Sequence, residues 1–447
     1  MLTNTKTQNL CQEVLKRCGS YKAQVFLTVN DDTLTRFANN TIHQNVAERN
    51  LNLTLRLVVG NHSGMATTNR TDAAALDELF ARSLANANAS PEDPDFPGLA
   101  EPAEFSQVDA LDPATAEFSA EQRAKQVAAV CRLAKEKGLN ASGAFSTGTG
   151  EFAVANTNGL FAYHASTKAD FQTVVMSDDS SGYAHTSGWR VAGLPVESLG
   201  REAIDKAERG RDPQNIQPGE YTIVLDPYVT QDLLEMLNLH GMGAQKVIEG
   251  RSWMNERVGE KAMSPLVTIW DDGTDPAGLP LPFDFEGVPK QKVEIVTKGT
   301  VMGPVYDRHT ASKAGRTSTG HALTPSFYMY SPMAVNLFMA PGDSSAAEMI
   351  KKTERGLYIT RFWYTRLVHP RDAVVTGMTR DGVFMIEDGE LTFPVKNLRF
   401  TQSYVQALAQ VEAVSRDTRQ LSSEWGNIAT QVPSLKINSF NFTGSTV

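Results

Sequence analysis

Helices set apart from runs of antiparallel strands predict an α+β protein of two lobes. An N-terminal helix-plus-antiparallel-sheet lobe is expected over residues 1–216 and a C-terminal, β-rich lobe with few helices over residues 217–447. Three observations carry this. Apolar residues recur at helical spacing in only a few segments, and period-two alternation punctuated by Gly- and Asn-rich turns fills most of the rest. Residues 210–219 (GRDPQNIQPG) combine Pro, Gly and polar residues with no apolar period, as a boundary between lobes does.

In chain order, Leu10, Val14, Leu15 and Cys18 share one face of a helix over residues 5–18 that ends at Gly19. Ala23, Val25, Leu27 and Val29 alternate with polar or larger residues, which gives a half-buried strand over 22–30. A further strand-like run covers 51–59, with turns at Asn39-Asn40 and Gly60-Asn61. Residues 73–87 read as a helix. Pro91, Pro94, Pro97 and Pro102 then keep residues 90–107 extended, which predicts a surface linker inside the first lobe. Ser119 with Gln122 forms a capping box for a helix striped by Val127, Val130, Cys131 and Ala134 and ended by Gly138. Asn158-Gly159, flanked by strand-like runs, predicts a type I′ hairpin, and a helix follows over 196–209. A faint duplication sets Ser63-Gly64-Met65-Ala66-Thr67 before one helix and Ser181-Gly182-Tyr183-Ala184-His185-Thr186 before another.

In the second lobe, residues 221–225 read as a short buried strand. Asp226 and Pro227 serve as N-cap and first-turn residue of a helix striped by Val229, Leu233, Met236 and Leu237, which stops at Gly241. From Val267 onward short strands are expected, separated by turns such as Asp271-Asp272-Gly273, Asp381-Gly382 and Asp388-Gly389.

Composition narrows the function. The 447 residues are 41% hydrophobic, enough for full cores, and 42 Lys and Arg against 51 Asp and Glu leave a net charge of -9. That sign is opposite to a nucleic-acid footprint, so no nucleic-acid partner is expected. No apolar run approaches a membrane span and the first ten residues are polar, so the expected location is cytoplasmic, without membrane contact. Cys11, Cys18 and Cys131 are odd in number and lack Cys-x-x-Cys spacing, which supports neither a disulfide framework nor a thiolate zinc cage.

Candidate chemistry is sparse. The eight histidines form no local chelating pair, and His-Glu-x-x-His is absent. His240 ends a helix, but Gly241 stands where a general-base glutamate would follow, and the commoner reading is a cationic histidine against the helix dipole. Gly241-Met242-Gly243 follows a helix where a phosphate loop would precede one, so it reads as a stop. Asp284, Glu286 and Asp307 could pair as acid and base or hold a cation, although carboxylates in turns are usually solvated or capping. Ser181, Ser187, Thr317 and Ser318 lack a nucleophile elbow. Residues 355–364 alternate aromatic and basic side chains, which suits a peptide groove and cross-strand packing equally. His240, Gly241, Arg361 and Tyr364 are therefore the candidate peptide-cleft residues, and no catalytic or metal-ligating residue is assigned.

The stretch 356–400, GLYITRFWYTRLVHPRDAVVTGMTRDGVFMIEDGELTFPVKNLRF, closely resembles the C-terminal signature of the TldD/PmbA family, the modulators of DNA gyrase related to peptidases. Residues 35–44 (TRFANNTIHQ), Phe283-Asp284-Phe285-Glu286-Gly287, Gly299-Thr300-Val301 and Thr319-Gly320-His321-Ala322 resemble its other segments in the same order, so the likeness covers nearly the whole chain. The resemblance implies a two-domain α+β subunit of a heterodimer, TldD with PmbA (TldE), that cleaves small unfolded peptides. In that family the TldD-type subunit holds zinc with a His-Glu-x-x-x-His helix and a later cysteine. Here the helix matched to it, residues 233–243, has His240 alone, and no cysteine follows Cys131. The chain thus resembles the PmbA/TldE-type subunit, with no cofactor of its own and zinc expected only in a TldD-like partner. A homodimer is expected when that partner is missing. Two alternatives stay open: a hydrolase in its own right, using a non-metal site or ligands gathered from distant histidines such as His309, His321 and His369, and a gyrase-related binding modulator without catalysis.

Overall fold

A computed structural model describes residues 3–423 and 426–445. The first lobe is one six-stranded antiparallel sheet, ordered His62–Thr68, Thr41–Val59, Lys22–Ala38, Asn140–Asn156, Phe161–Met176 and Ser181–Gly188. Helices cover one face of it. Asn4–Arg17 and Ala73–Ala89 bury Cys11, Val14, Leu76 and Leu79 against Val25, Leu27, Leu53 and Leu55. Ala120–Glu136 and Val196–Arg209 bury Val127, Val130, Leu199 and Ala203 against Phe37, Phe145 and Phe171. Because side chains alternate across a strand, Phe26, Phe152 and Ala162 point from the other face and pack on Phe283 of the second lobe.

The duplication hinted at by the two Ser-Gly segments is structural. Each half of the sheet is a helix, three strands and a helix, and the halves meet where Lys22–Ala38 pairs antiparallel with Asn140–Asn156. A Cβ on Gly64 would stand 2.0 Å from Ala87 N, and one on Gly182 would stand 2.1 Å from Ala203 O. In both halves a glycine on the outer strand admits the following helix at van der Waals distance.

Two local expectations in this lobe are corrected. Gly159, not Asn158, takes the positive φ (92°). The Gly159 N–H donates to Asn156 O at 3.2 Å and the Asn156 N–H to Leu160 O at 3.1 Å, which makes a three-residue turn closed by a left-handed glycine in place of type I′. The proline-rich segment is a strap rather than a surface linker. Leu99 and Ala100 are buried, Asn156 Nδ2 donates to Ala100 O (2.8 Å), and the Arg308 guanidinium of the second lobe donates to Pro97 O (3.1 Å).

In the second lobe Gly219–Leu225 pairs in parallel with Arg355–His369, which pairs with Val374–Glu387, then Leu398–Ser403, then Gly426–Ser445. The last of these returns to Gly219–Leu225, with Ile437 opposite Ile223, so the five strands close on themselves. Closure leaves these five strands without a free edge and buries Leu225, Leu357, Phe400, Leu435 and Phe440. Asn336–Met339, Ile269–Asp271, Val293–Thr297 and Thr300–Val301 extend the sheet sideways from Gly426–Ser445. Several strands are far longer than the short ones expected: Arg355–His369 has 15 residues and Gly426–Ser445 has 20. Asp381-Gly382 is a bulge rather than a turn, since the register jumps from Ile359↔Val383 to Arg361↔Arg380 and the Thr360 hydroxyl donates to Asp381 O at 2.7 Å. Asp388-Gly389, both at positive φ, does turn the chain. Among the described residues no helix is long and apolar enough to cross a membrane.

Candidate functional site

A cleft of about 350 Å³ opens between the lobes. The second lobe supplies the helix Pro227–Leu237, whose positions 231, 232, 235 and 236 recur with helical period, so Gln231, Asp232, Glu235 and Met236 face the opening while Val229, Leu233 and Leu237 are buried. Asp226 sits at the N-cap position of that helix without capping it. Its carboxylate accepts instead from Lys206 Nζ at 2.6 Å and from the Tyr358 hydroxyl at 3.1 Å.

Arg355–His369 contributes the opposing wall. Its register with Val374–Glu387 breaks between Trp363↔Met378 and Arg366↔Thr376, which leaves Tyr364 and Thr365 in a bulge. Tyr364 has φ 54° and is 67% exposed, with the Arg366 guanidinium 4.4 Å from its ring centroid. A bulky residue held in the left-handed region beside a cleft is an outlier of the kind that aims a side chain. Arg361 lies between two rings, 4.0 Å from Tyr183 and 4.7 Å from Trp363, and its Nη1 is 3.2 Å from Asp381.

The first lobe adds Asp170, Tyr183 and His185. His185 Nε2 is 2.9 Å from Asp170 Oδ2 and 3.3 Å from Ser422 Oγ, and the Ser422 hydroxyl donates to Asp170. Serine and aspartate therefore address the same ring nitrogen. A hydrolytic triad needs them on opposite nitrogens so that the imidazole can take a proton on one side while held on the other, and this cluster does not have that geometry. Burial opposes ionisation of Asp170, but His185, Ser422 and Lys168 outweigh it and hold the carboxyl below its usual range. Asp232 is the contrary case. Burial pushes its pKa up to about 6 although Tyr404 OH (2.7 Å) and Thr365 OH (2.8 Å) donate to it.

Catalytic zinc needs about three convergent protein ligands. Among the described residues no group of three His, Cys, Asp or Glu is placed to hold a metal. In the cleft itself both Asp232 oxygens accept hydroxyl protons, and Gln231 Nε2 donates to Glu235 (2.8 Å) and to Ser422 O (3.0 Å). The described residues that line this cleft do not make a zinc ligand set.

Of the four sequence candidates, Arg361 and Tyr364 line the cleft, whereas His240 and Gly241 lie outside its lining, in a π-helical turn, Asn238–Met242. Gly241 is there for packing: a Cβ would stand 2.1 Å from the Trp253 ring. His240 is not a cation against a dipole, because burial and then Lys246 and Arg251 push its pKa down to about 4. Asp284 and Asp307 are buried rather than solvated. Asp284 accepts the N–H groups of Glu286, Val288 and Ala322, and Asp307 caps Arg308–Ala314. Burial, then Asp284 and Asp307, push the Glu286 pKa up to about 8. His309, His321 and His369 each pair with a different carboxylate, Asp93, Asp271 and Asp372. Sequence reasoning does not single out Gln231, Asp232 and Glu235, although an amide and two carboxylates within two turns of a largely apolar helix are a readable signal. Asp170 and His185 left none.

Fold and cleft together define an α+β protein with a polar interlobe cleft built on a closed β-barrel. Residues 23–87 match the PmbA/TldA metallopeptidase domain 1, residues 108–211 its central domain and residues 218–444 its C-terminal domain. The chain belongs to the PmbA/TldA metallopeptidase family. It is 27% identical over 275 residues to a metalloprotease of Methanothermobacter thermautotrophicus, a match covering 60% of each chain. It is 25% identical over 255 residues to a metalloprotease TldD homolog of Buchnera aphidicola, covering 56% of this chain and 50% of that one. The chain thus spans about half to three fifths of the length of these curated relatives. TldE from Thermococcus kodakarensis has the same fold, with TM-score 0.88 at 19% identity over 98% of this chain and all of that one. So has a Thermotoga maritima protein proposed as a modulator of a DNA gyrase, with TM-score 0.86 at 19% identity over the same shares.

Proposed function

We propose that this chain is the non-zinc, PmbA/TldE-type subunit of a TldD/PmbA-like metallopeptidase, which pairs with a TldD-like zinc subunit in the cytoplasm and guides small unfolded peptides. One observation carries the reading: a chain whose three segments all match a metallopeptidase family presents Gln231, Asp232, Glu235 and Met236 on the cleft face of its helix, with no histidine among them. Its own residues bind and orient. Stacked guanidinium groups at Arg361 and Arg366 suit peptide carbonyls and carboxylates, Asp232 and Glu235 suit amino groups, and the exposed Tyr364 ring offers an apolar face to a side chain. Bond cleavage belongs to the partner.

The test is to purify the chain alone and with a TldD-like partner, then measure zinc by elemental analysis and hydrolysis of short peptides. The lone chain, a homodimer on this reading, is expected to carry far less than one zinc per chain and to be inactive, with hydrolysis appearing only in the mixed complex. Stoichiometric zinc and activity in the lone chain would overturn the proposal.

A further inference from the structure

A second cavity, of about 180 Å³, lies on the helix-free face of the first-lobe sheet, where the second lobe packs against it. Phe152 and Trp189 of the first lobe and Leu279, Leu281, Phe285 and Val335 of the second form its mainly apolar wall, Asn30, Glu151 and Lys168 also line it, and Phe152 and Phe285 pack with ring centroids 4.5 Å apart. An apolar cavity of about 150 Å³ accepts a benzene ring, so this one has room for one aromatic or branched aliphatic side chain.

Its position relative to the polar cleft is the informative feature. Both are lined by one strand, Phe161–Met176: His164, Ser166 and Lys168 face the apolar cavity, and Asp170 and Gln172 face the cleft. These are alternate residues of one strand and so project from one side of it. From Ser166 to Asp170 is four residues, about 13 Å at the rise of a strand, which an extended peptide spans with the same number of residues. Gly150 stands opposite Ser166 and Gly148 opposite Lys168, so no side chain rises from those rows of Asn140–Asn156. Between the two, the Gly150 row is open, whereas the exposed Lys168–Asp32 ion pair (2.8 Å) crosses the Gly148 row, so a peptide joining the two sites runs over that pair.

We propose that the apolar cavity is a side-chain subsite for the peptide held in the cleft, selecting an aromatic or large aliphatic residue about four positions from the residue bound between Asp232 and Arg361. This rests on the peptide-guiding reading above and specifies its substrate: an extended peptide with one bulky apolar side chain. Small polar or glycine-rich peptides lack the group that fills the cavity.

The test is direct binding to the purified full chain. Six-residue alanine peptides, unsubstituted or carrying one Phe or one Lys at each position in turn, are titrated by calorimetry, with tryptophan fluorescence as a second readout because Trp189 lines the cavity. A single Phe is expected to tighten binding at least tenfold over alanine at its best position, with a clear dependence on that position, and Lys is not. Gly150→Leu, whose Cβ meets only Asn30 Oδ1 at 3.3 Å and Ser166 Oγ at 3.6 Å, should fill the cavity and bring the Phe-to-Ala ratio close to one. If that variant does not fold, Ser166→Leu fills the cavity from the facing strand. Equal affinity for Phe and Ala peptides, or tighter binding of Lys, overturns the subsite while leaving the peptide-guiding role. A Phe preference that survives both filled variants also overturns it. No binding of any peptide overturns both.

Discussion

Lys206 places its Nζ 2.6 Å from Asp226 Oδ2 across the junction between the lobes, with 8% and 10% of the two side chains exposed. The pair ties the last turn of Val196–Arg209 to the start of the helix that lines the cleft. Glu202 joins it, 2.7 Å from Lys206 and 2.9 Å from Arg419. Breaking such a pair from one side leaves a buried charge without its counter-charge, which typically costs about 3–5 kcal/mol. Lys206→Met should therefore lower the free energy of unfolding by about that amount in urea, and adding Asp226→Asn should restore part of it. A loss below about 1 kcal/mol, the range of an exposed pair, would show that the junction does not depend on this contact.

Asp232 makes the stability of the cleft pH-dependent. Its folded pKa is raised to about 6, whereas an unfolded aspartate releases its proton near pH 3.9. The folded state therefore holds more protons between those values, and stability falls as pH rises through that window. Asp232→Asn removes this contribution. The stability of the parent protein relative to the variant should fall from about pH 4 to about pH 6 and then level off. A difference curve that is flat, or that rises, would contradict the assignment.

The duplicated glycines should respond alike. Gly64→Ala and Gly182→Ala each force a Cβ to within about 2 Å of backbone, so both should destabilise by at least the 1–3 kcal/mol typical of overpacking. Gly193→Ala, with nothing within 4 Å of the added carbon, should change the melting temperature little. Unequal behaviour of Gly64 and Gly182 would show that the two halves do not pack equivalently.

Tyr364 trades stability for exposure. Its left-handed backbone is costly for a residue with a Cβ and its ring is largely in water, so Tyr364→Gly should leave the unfolding free energy unchanged or raise it by up to about 1 kcal/mol. The same change should weaken peptide binding in the cleft severalfold. A stability loss above 1 kcal/mol would instead make the ring a packing element.

Local signals in the chain were read well where the physics is local. The Ser119/Gln122 box forms with both of its hydrogen bonds, Val196–Arg209 is a helix over the expected residues, and Asn39 and Asn40 both take the positive φ that a tight turn requires. Where turn chemistry has two solutions, as at Asn158-Gly159 and Asp381-Gly382, dipeptide identity did not choose between them, because strand register decides whether the extra residue becomes a turn or a bulge. Strand lengths in the second lobe were underestimated for the same reason. Bulges interrupt the alternation inside strands that pairing nevertheless holds together.

By itself the sequence determined the α+β class, most element positions, the likeness to a peptidase-related family, and Arg361 and Tyr364 as residues of one unusual strand. Only the tertiary structure decided that Asp170, Asp232 and Arg361 face one opening, that His240 does not, and that five strands close into a barrel. The physical reason is range. Helical and strand periods, caps and turns are fixed by interactions among residues a few positions apart, whereas a cleft joins side chains from segments that meet only after long-range strand pairing and lobe packing have set their register.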